Sequence, residues 1–140
     1  MKTLEELGTL VRDTFSGEPV EFRPCAFCDE GLDCIRVIAR DCSVVEERVN
    51  ERVTVLIDSY YPGPGRRQYV GFTIKGARHF CKQRGWDTKR SIGMVEFLDA
   101  VFASSPELVM EWFMEIVARP LVREEKIESV ELPDGALSTV

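Results

Sequence analysis

The stretch from Leu32 to Arg40 reads LDCIRVIAR and carries the clearest structural pattern in the chain. In an extended backbone, Ile35, Val37 and Ala39 lie on one face. Arg36 and Arg40 lie on the other face. This alternation is typical of a strand in a sheet with one covered side. The stretch therefore predicts a sheet whose apolar face packs on another layer.

Short β-rich runs extend on both sides of this stretch. Val53, Val55 and Ile57 alternate with more polar neighbours in the same way. We therefore expect an antiparallel β-meander of four to five strands. The spacing of Ser43 and Glu46 also permits a short helix at the third run, although a strand is favoured there. The predicted strands are Val20 to Arg23, Leu32 to Arg40, Val44 to Val49, Arg52 to Tyr61 and Gln68 to Ile74.

Helical periodicity flanks the predicted sheet. A capping box at Thr3 and Glu6 begins an N-terminal helix from Leu4 to Phe15. After the sheet, three helices are predicted to pack on one of its faces. They run from Gly76 to a left-handed stop at Gly85, from Ile92 to Ala103, and from a Ser105 cap with Pro106 to a point before Pro120. A last edge strand is predicted around Ile127, Val130 and Leu132. The fold class is α+β, with residues 1–140 in one domain.

The last two helices carry more apolar residues than one sheet face covers. Only a row of glutamates, Glu107, Glu111 and Glu115, interrupts the apolar surface of the third helix. The surplus predicts contact with a second copy of the chain, most simply in a twofold dimer. The expected oligomer interface consists of Met110, Trp112, Phe113, Met114 and Val117.

Positive charge is concentrated between Arg66 and Arg90. This segment holds eight basic residues and one acid, Asp87, in a chain whose net charge is −6. Such segregation predicts a basic face that binds an acidic partner. An acidic protein surface is the favoured partner, and nucleic acid or another polyanion is the less favoured one. The residues of this predicted face are Arg66, Arg67, Arg78, Lys82, Arg84, Lys89, Arg90 and Trp86.

The cysteines and the single histidine give no catalytic signature. Cys25 and Cys28 have the spacing of half a zinc site, but no second pair of this kind exists in the chain. We interpret them as reduced thiols and predict neither a metal nor a cofactor. His79 is two residues from Cys81, and on a helix the two side chains point apart. No catalytic residue is predicted.

The N-terminus lacks the apolar stretch of a signal peptide, and no apolar run is long enough to cross a bilayer. We therefore expect a cytoplasmic protein without membrane contact. The favoured function is a non-catalytic, homo-oligomeric binding module with a basic face. The alternatives are a nucleic-acid or polyanion-binding protein, and a small-molecule enzyme with a pocket between sheet and helices around His79 and Cys81.

Overall fold

A mixed but mostly antiparallel sheet of seven strands forms the centre of the fold within residues 22–60 and 68–132, the ranges that the computed structural model describes. The predicted helix from Leu4 to Phe15 lies outside these ranges, as do Arg66 and Arg67 of the predicted basic face. The strands are β1 Cys25–Asp29, β2 Cys34–Ile38, β3 Val44–Arg48, β4 Val53–Asp58, β5 Tyr69–Lys75, β6 Ser91–Gly93 and β7 Ser129–Glu131.

The strand order is β3-β4-β5-β2-β1-β7-β6, so the predicted meander is wrong in its order as well as in its strand number. β5 pairs with β2, and β3 forms one edge of the sheet. Every residue of β3 is exposed, whereas β5 contains four buried residues. The physical reason is that a polar strand loses little at an edge, while an apolar strand is stabilised by neighbours on both sides. β1 and β7 form the one parallel pair among the described strands.

The short strands and the start of the sheet differ from the sequence-based expectation. The first described strand begins at Cys25, and Phe22 to Pro24 are irregular, so the predicted strand Val20 to Arg23 is wrong in the part that the structure describes. The short strands β6 and β7 were missed or misplaced, because three residues are too few to show alternation. β7, expected at an edge near Val130, lies between β1 and β6.

Three helical stretches pack on one face of the sheet, as the sequence predicts. They are α1 Ala77–Gln83, α2 Met94–Ser104 and a continuous stretch made of α3 Leu108–Trp112, a π-helical segment Phe113–Ala118 and α4 Arg119–Glu124. The predicted end before Pro120 is wrong. Pro120 lacks an N–H, but the preceding turn is wound as a π-helix, in which the Arg119 N–H donates to the Met114 carbonyl. The chain thereby passes the proline without breaking the helix.

The loop between β1 and β2 caps α1 from a distant part of the sequence. The carbonyl of Asp33 accepts hydrogen bonds from the N–H groups of Gly76 and Ala77, at 2.9 and 3.2 Å. Its carboxylate accepts a third from the Arg78 N–H at 2.9 Å. At the other end of α1, Gly85 has a φ of 72°, which confirms the left-handed stop.

The core lies between the sheet and the helices. Phe72 on β5 meets Phe113 edge to face, with ring centroids 5.1 Å apart. A second aromatic group joins Phe80, Trp86 and Phe97. The buried side chains of the described residues are all apolar, so packing dominates the stability of this layer.

Candidate interaction surfaces

Four of the five residues predicted to form an oligomer interface are buried inside their own chain. Met110, Phe113, Met114 and Val117 belong to the core cluster between helix and sheet, and the Phe113 ring is fully enclosed. These side chains are therefore not available to a second copy. Only Trp112 remains partly accessible, at 41%. The premise that this whole set exceeds what one chain can bury is wrong.

A different apolar stripe of the same helix faces solvent. Leu108, Trp112 and Ile116 are 85%, 41% and 53% exposed. Their four-residue spacing places them on one side of the helix. The sequence indicates excess apolar surface on this helix. The four-residue spacing of Leu108, Trp112 and Ile116 is the signal that could have identified them as one stripe. Which side of the helix faces the sheet becomes clear only from the tertiary packing.

The sheet continues this stripe. On the helix-facing side, Val45 of β3 pairs with Ile57 of β4, which pairs with Tyr69 of β5. Tyr69 in turn meets Trp112 edge to face, with ring centroids 6.2 Å apart. Val45 is 53% exposed, so no described element covers this end of the sheet. We call the surface formed by Val45, Ile57, Tyr69, Leu108, Trp112 and Ile116 the apolar corner.

Acidic side chains line the helical side of the apolar corner. Glu107, Glu111 and Glu115 are exposed, and each precedes a member of the apolar stripe by one residue. On a helix this places the two rows next to each other. The apolar corner therefore has a negative rim.

A cavity of about 530 Å³ adjoins one end of the apolar corner. Tyr69 and Ile116 line both the corner and the cavity, and Pro120 and Leu121 extend its apolar wall. Arg40 and Glu124 contribute charged groups. The apolar surface thus continues from an open corner into a recess beside the π-helical segment.

The basic residues that the sequence groups together do not share one role. Arg66 and Arg67 lie outside the described residues. Arg78, Lys82, Lys89 and Arg90 are exposed on and after α1. These four remain available to a partner.

Two members of the predicted basic face make contacts with the core. Trp86 is only 7% exposed and packs on Phe80 and Phe97, so the prediction that it belongs to an exposed face is wrong. The Arg84 guanidinium donates to the Ala100 carbonyl at 2.8 Å and lies 5.6 Å from the centre of the Phe80 ring. Trp86 is therefore buried in the core, whereas Arg84 remains exposed while its guanidinium links the end of α1 to α2.

The Cys25 and Cys28 pair cannot form half of a metal site. Cys25 and Cys28 lie three positions apart on β1, where they pair with Ile38 and Ile35 of β2. Their side chains therefore point to opposite faces of the sheet. No group of three or more histidine, cysteine or acidic side chains arranged to hold a metal ion occurs in the described ranges.

The half-buried Cys28 thiol and the buried Cys81 thiol are also poor nucleophiles. Burial, with the neighbouring Cys81 thiol and Asp33 adding to it, raises the pKa of Cys28 from 9.0 to about 12. Burial and then Asp33 raise the pKa of Cys81 to about 11. A thiol with so high a pKa stays protonated at neutral pH.

His79 and Cys81 lie on different sides of α1, one exposed and the other buried. Neither residue lines the cavity beside the apolar corner or a second cavity between α2 and α4. The expected pocket around these two residues is therefore not present at either place.

Comparison of the chain with protein-family models, with curated proteins and with solved structures found no match in any of the three. Among the described helices, none combines the length and hydropathy needed to cross a membrane.

Proposed function

We propose that this protein is a non-catalytic interaction module that binds a basic amphipathic helix of a partner protein in the apolar corner. The observation that carries this proposal is the exposed stripe of Leu108, Trp112 and Ile116 beside the glutamate row. Contiguous exposed apolar side chains with a polar rim are typical of protein interaction sites.

The shape of the corner favours a helix as the bound element. The apolar stripe forms one wall, and Val45 and Ile57 on the sheet form the other. A partner helix lying alongside α3 would extend the helical layer over β3 and β4. Its apolar residues would contact both walls, which is the helix-in-groove mode of recognition.

The charge of the rim determines which helix fits. Lysine or arginine on the flank of a partner helix would face Glu107, Glu111 and Glu115. Such complementarity raises the association rate and excludes acidic competitors.

The same charge disfavours the homodimer expected from the sequence. In a twofold contact with the two helices antiparallel over their stripes, both glutamate rows lie on the same side of the interface. Like charges then face each other, which costs free energy. A second copy is therefore the less favoured occupant.

The test uses two synthetic helical peptides with identical leucine positions, one with lysines and one with glutamates at the polar positions. Fluorescence anisotropy of the labelled peptides measures binding. We expect saturable binding of the lysine peptide, weakened at least about tenfold by Leu108→Asp. Leu32→Asp provides the matched control, because Leu32 is 67% exposed and is not part of the corner.

Two results would overturn the proposal. Equal binding of both peptides would remove the role of the acidic rim. The second result combines two observations: the lysine peptide fails to bind, and analytical ultracentrifugation shows self-association that Leu108→Asp abolishes. This would identify a second copy as the occupant. The charge itself is tested by Glu111→Lys, with Glu96→Lys on α2 as the exposed control outside the corner.

A second candidate function rests on the exposed cations of α1 and the segment after it. Arg78 and Lys82 are four residues apart and exposed, with Lys89 and Arg90 following. We infer that an acidic partner would bind here, with an affinity that falls steeply as salt rises. Binding of polyglutamate or RNA that is unchanged by Arg78→Glu and Lys82→Glu, or insensitive to salt, would exclude this function.

A further inference from the structure

A groove of about 490 Å³ separates the start of α2 from α4 and the turn that follows it. Its volume falls within the range of about 300–1,000 Å³ that is usual for small-molecule sites. The groove shares no residue with the apolar corner, so the inference below does not rest on the proposed function. Buried apolar side chains form its walls, namely Met94, Leu98, Val122 and Ile127.

Three cations line the groove together with one acid, Glu128. Arg119 is already paired with Asp99, at 2.8 Å. Arg123 and Lys126 are exposed, and within the described residues no ion pair to either of them is found. The groove thus combines an apolar interior with two available positive charges at its edge.

The backbone at Lys126 is unusual for a lysine. The turn after α4 is a Schellman motif, in which the Ile127 N–H donates to the Val122 carbonyl and the Lys126 N–H to the Arg123 carbonyl. Lys126 occupies the left-handed position of this motif, with a φ of 54°. Glycine is strongly preferred at such a position, because a side chain is strained there.

The helix α1 ends in the same motif with the preferred residue. Its hydrogen bonds run from Trp86 to Cys81 and from Gly85 to Lys82, and Gly85 holds the left-handed position. The chain therefore uses glycine at one Schellman turn and a strained lysine at the other, at the edge of an apolar groove. Strain of this kind is often retained where a side chain serves function.

We propose that the groove binds a medium-chain carboxylate, with its apolar tail against the four buried walls and its carboxylate at Arg123 and Lys126. The guanidinium supplies paired donors suited to a carboxylate, and the ammonium supplies a second positive charge. A cationic or uncharged amphiphile would leave these two cations without a counter-charge.

Isothermal titration calorimetry with sodium decanoate below its micellar concentration tests the proposal on the full chain. We expect saturable binding at one site, and decanol binding at least about tenfold more weakly. Val95→Trp should block the groove, because Val95 lines it and is 66% exposed at its opening. Equal affinity for decanol, or no saturation with decanoate, would overturn the proposal.

Lys126→Gly separates function from folding. The glycine relieves the strained backbone, so the urea midpoint should rise while decanoate binds about tenfold more weakly. Lys89→Gly removes an exposed cation away from the groove and should leave decanoate affinity unchanged. Full decanoate affinity in Lys126→Gly and in Arg123→Gln would show that neither cation anchors the ligand, and the proposal would fail.

Discussion

Tyr69 on β5 and Trp112 on α3 meet edge to face, with ring centroids 6.2 Å apart and ring planes at 80°. This contact joins the two walls of the apolar corner, the sheet and the exposed side of the helix. Edge-to-face aromatic pairs favour this geometry through their ring quadrupoles. The contact therefore holds an accessible tryptophan in a defined position on the surface.

The energetic coupling of this pair can be measured directly. A double-mutant cycle with Tyr69→Ala and Trp112→Ala should give a coupling free energy of about 0.5–1.5 kcal/mol, the value usual for aromatic pairs. Urea denaturation of the four proteins provides the measurement. Tyr69→Phe keeps the ring and should retain most of the coupling. A coupling near zero would mean that the two rings do not support each other.

Gly71 allows β5 to lie close to its neighbours in the sheet. A methyl group at this position would collide with the Val37 carbonyl oxygen and lie 3.0 Å from a Leu56 methyl carbon. We expect Gly71→Ala to destabilise the fold by about 1–3 kcal/mol, because backbone on the neighbouring strand must move. Gly31→Ala is the matched control, since its new methyl group meets only ordinary contacts. Equal urea midpoints for the two variants would contradict this account of β5.

Arg84 and Arg78 lie at opposite ends of α1 and differ in what their side chains contact. Arg84 donates to the Ala100 carbonyl and stacks on Phe80, whereas the Arg78 side chain is exposed. Arg84→Met should lower the free energy of unfolding by about 1–2 kcal/mol, through the lost hydrogen bond and ring contact. Arg78→Met should change it by less than about 0.5 kcal/mol. Thermal denaturation of both variants decides between a structural and a solvated arginine.

The raised pKa values of the half-buried Cys28 and the buried Cys81 predict loss of stability at high pH. The folded pKa values of Cys28 and Cys81, about 12 and about 11, lie above the ordinary value of 9.0. The unfolded chain therefore releases these protons first, so the stabilisation is complete below pH 9 and is lost as the pH rises through 11 to 12. Urea midpoints of the wild type should fall across this range.

The variant Cys28→Ala with Cys81→Ala is the control for this pH effect. It loses packing at every pH, but its urea midpoint should fall less steeply above pH 9, because the titrating groups are gone. In the wild type, Cys28 and Cys81 should react with iodoacetamide more slowly than the exposed Cys25 at neutral pH. A parallel decline in the wild type and the variant would assign the alkaline effect to other groups.

Local sequence patterns predicted much of the fold correctly. The alternation around Val37 predicts β2, the β-rich run that contains Phe72 predicts β5, and Gly85 predicts the end of α1. These features are local, because side-chain period and left-handed backbone depend on a few adjacent residues. The prediction that the helix ends before Pro120 is wrong, because the effect of this proline depends on the turn before it. That turn adopts a π-helical register, which the sequence pattern does not show.

The candidate sites were less predictable than the fold. Trp112 was expected at an interface, but its neighbours Met110 and Phe113 face the sheet. The groove between α2 and α4 joins residues from the start of α2 to residues about 30 positions later in the chain, and no pattern links Val95 with Lys126. Side chains brought together by packing leave no periodic trace in the sequence.

By itself, the sequence determined the α+β class, the apolar faces of the central strands and the excess of apolar residues on the last long helix. These properties follow from period and composition, which are local. Only the tertiary structure decided that β5 lies beside β2, that Leu108 and Ile116 face solvent, and that Trp86 belongs to the core. Each of these depends on which surfaces meet, and burial is a property of the whole packed chain.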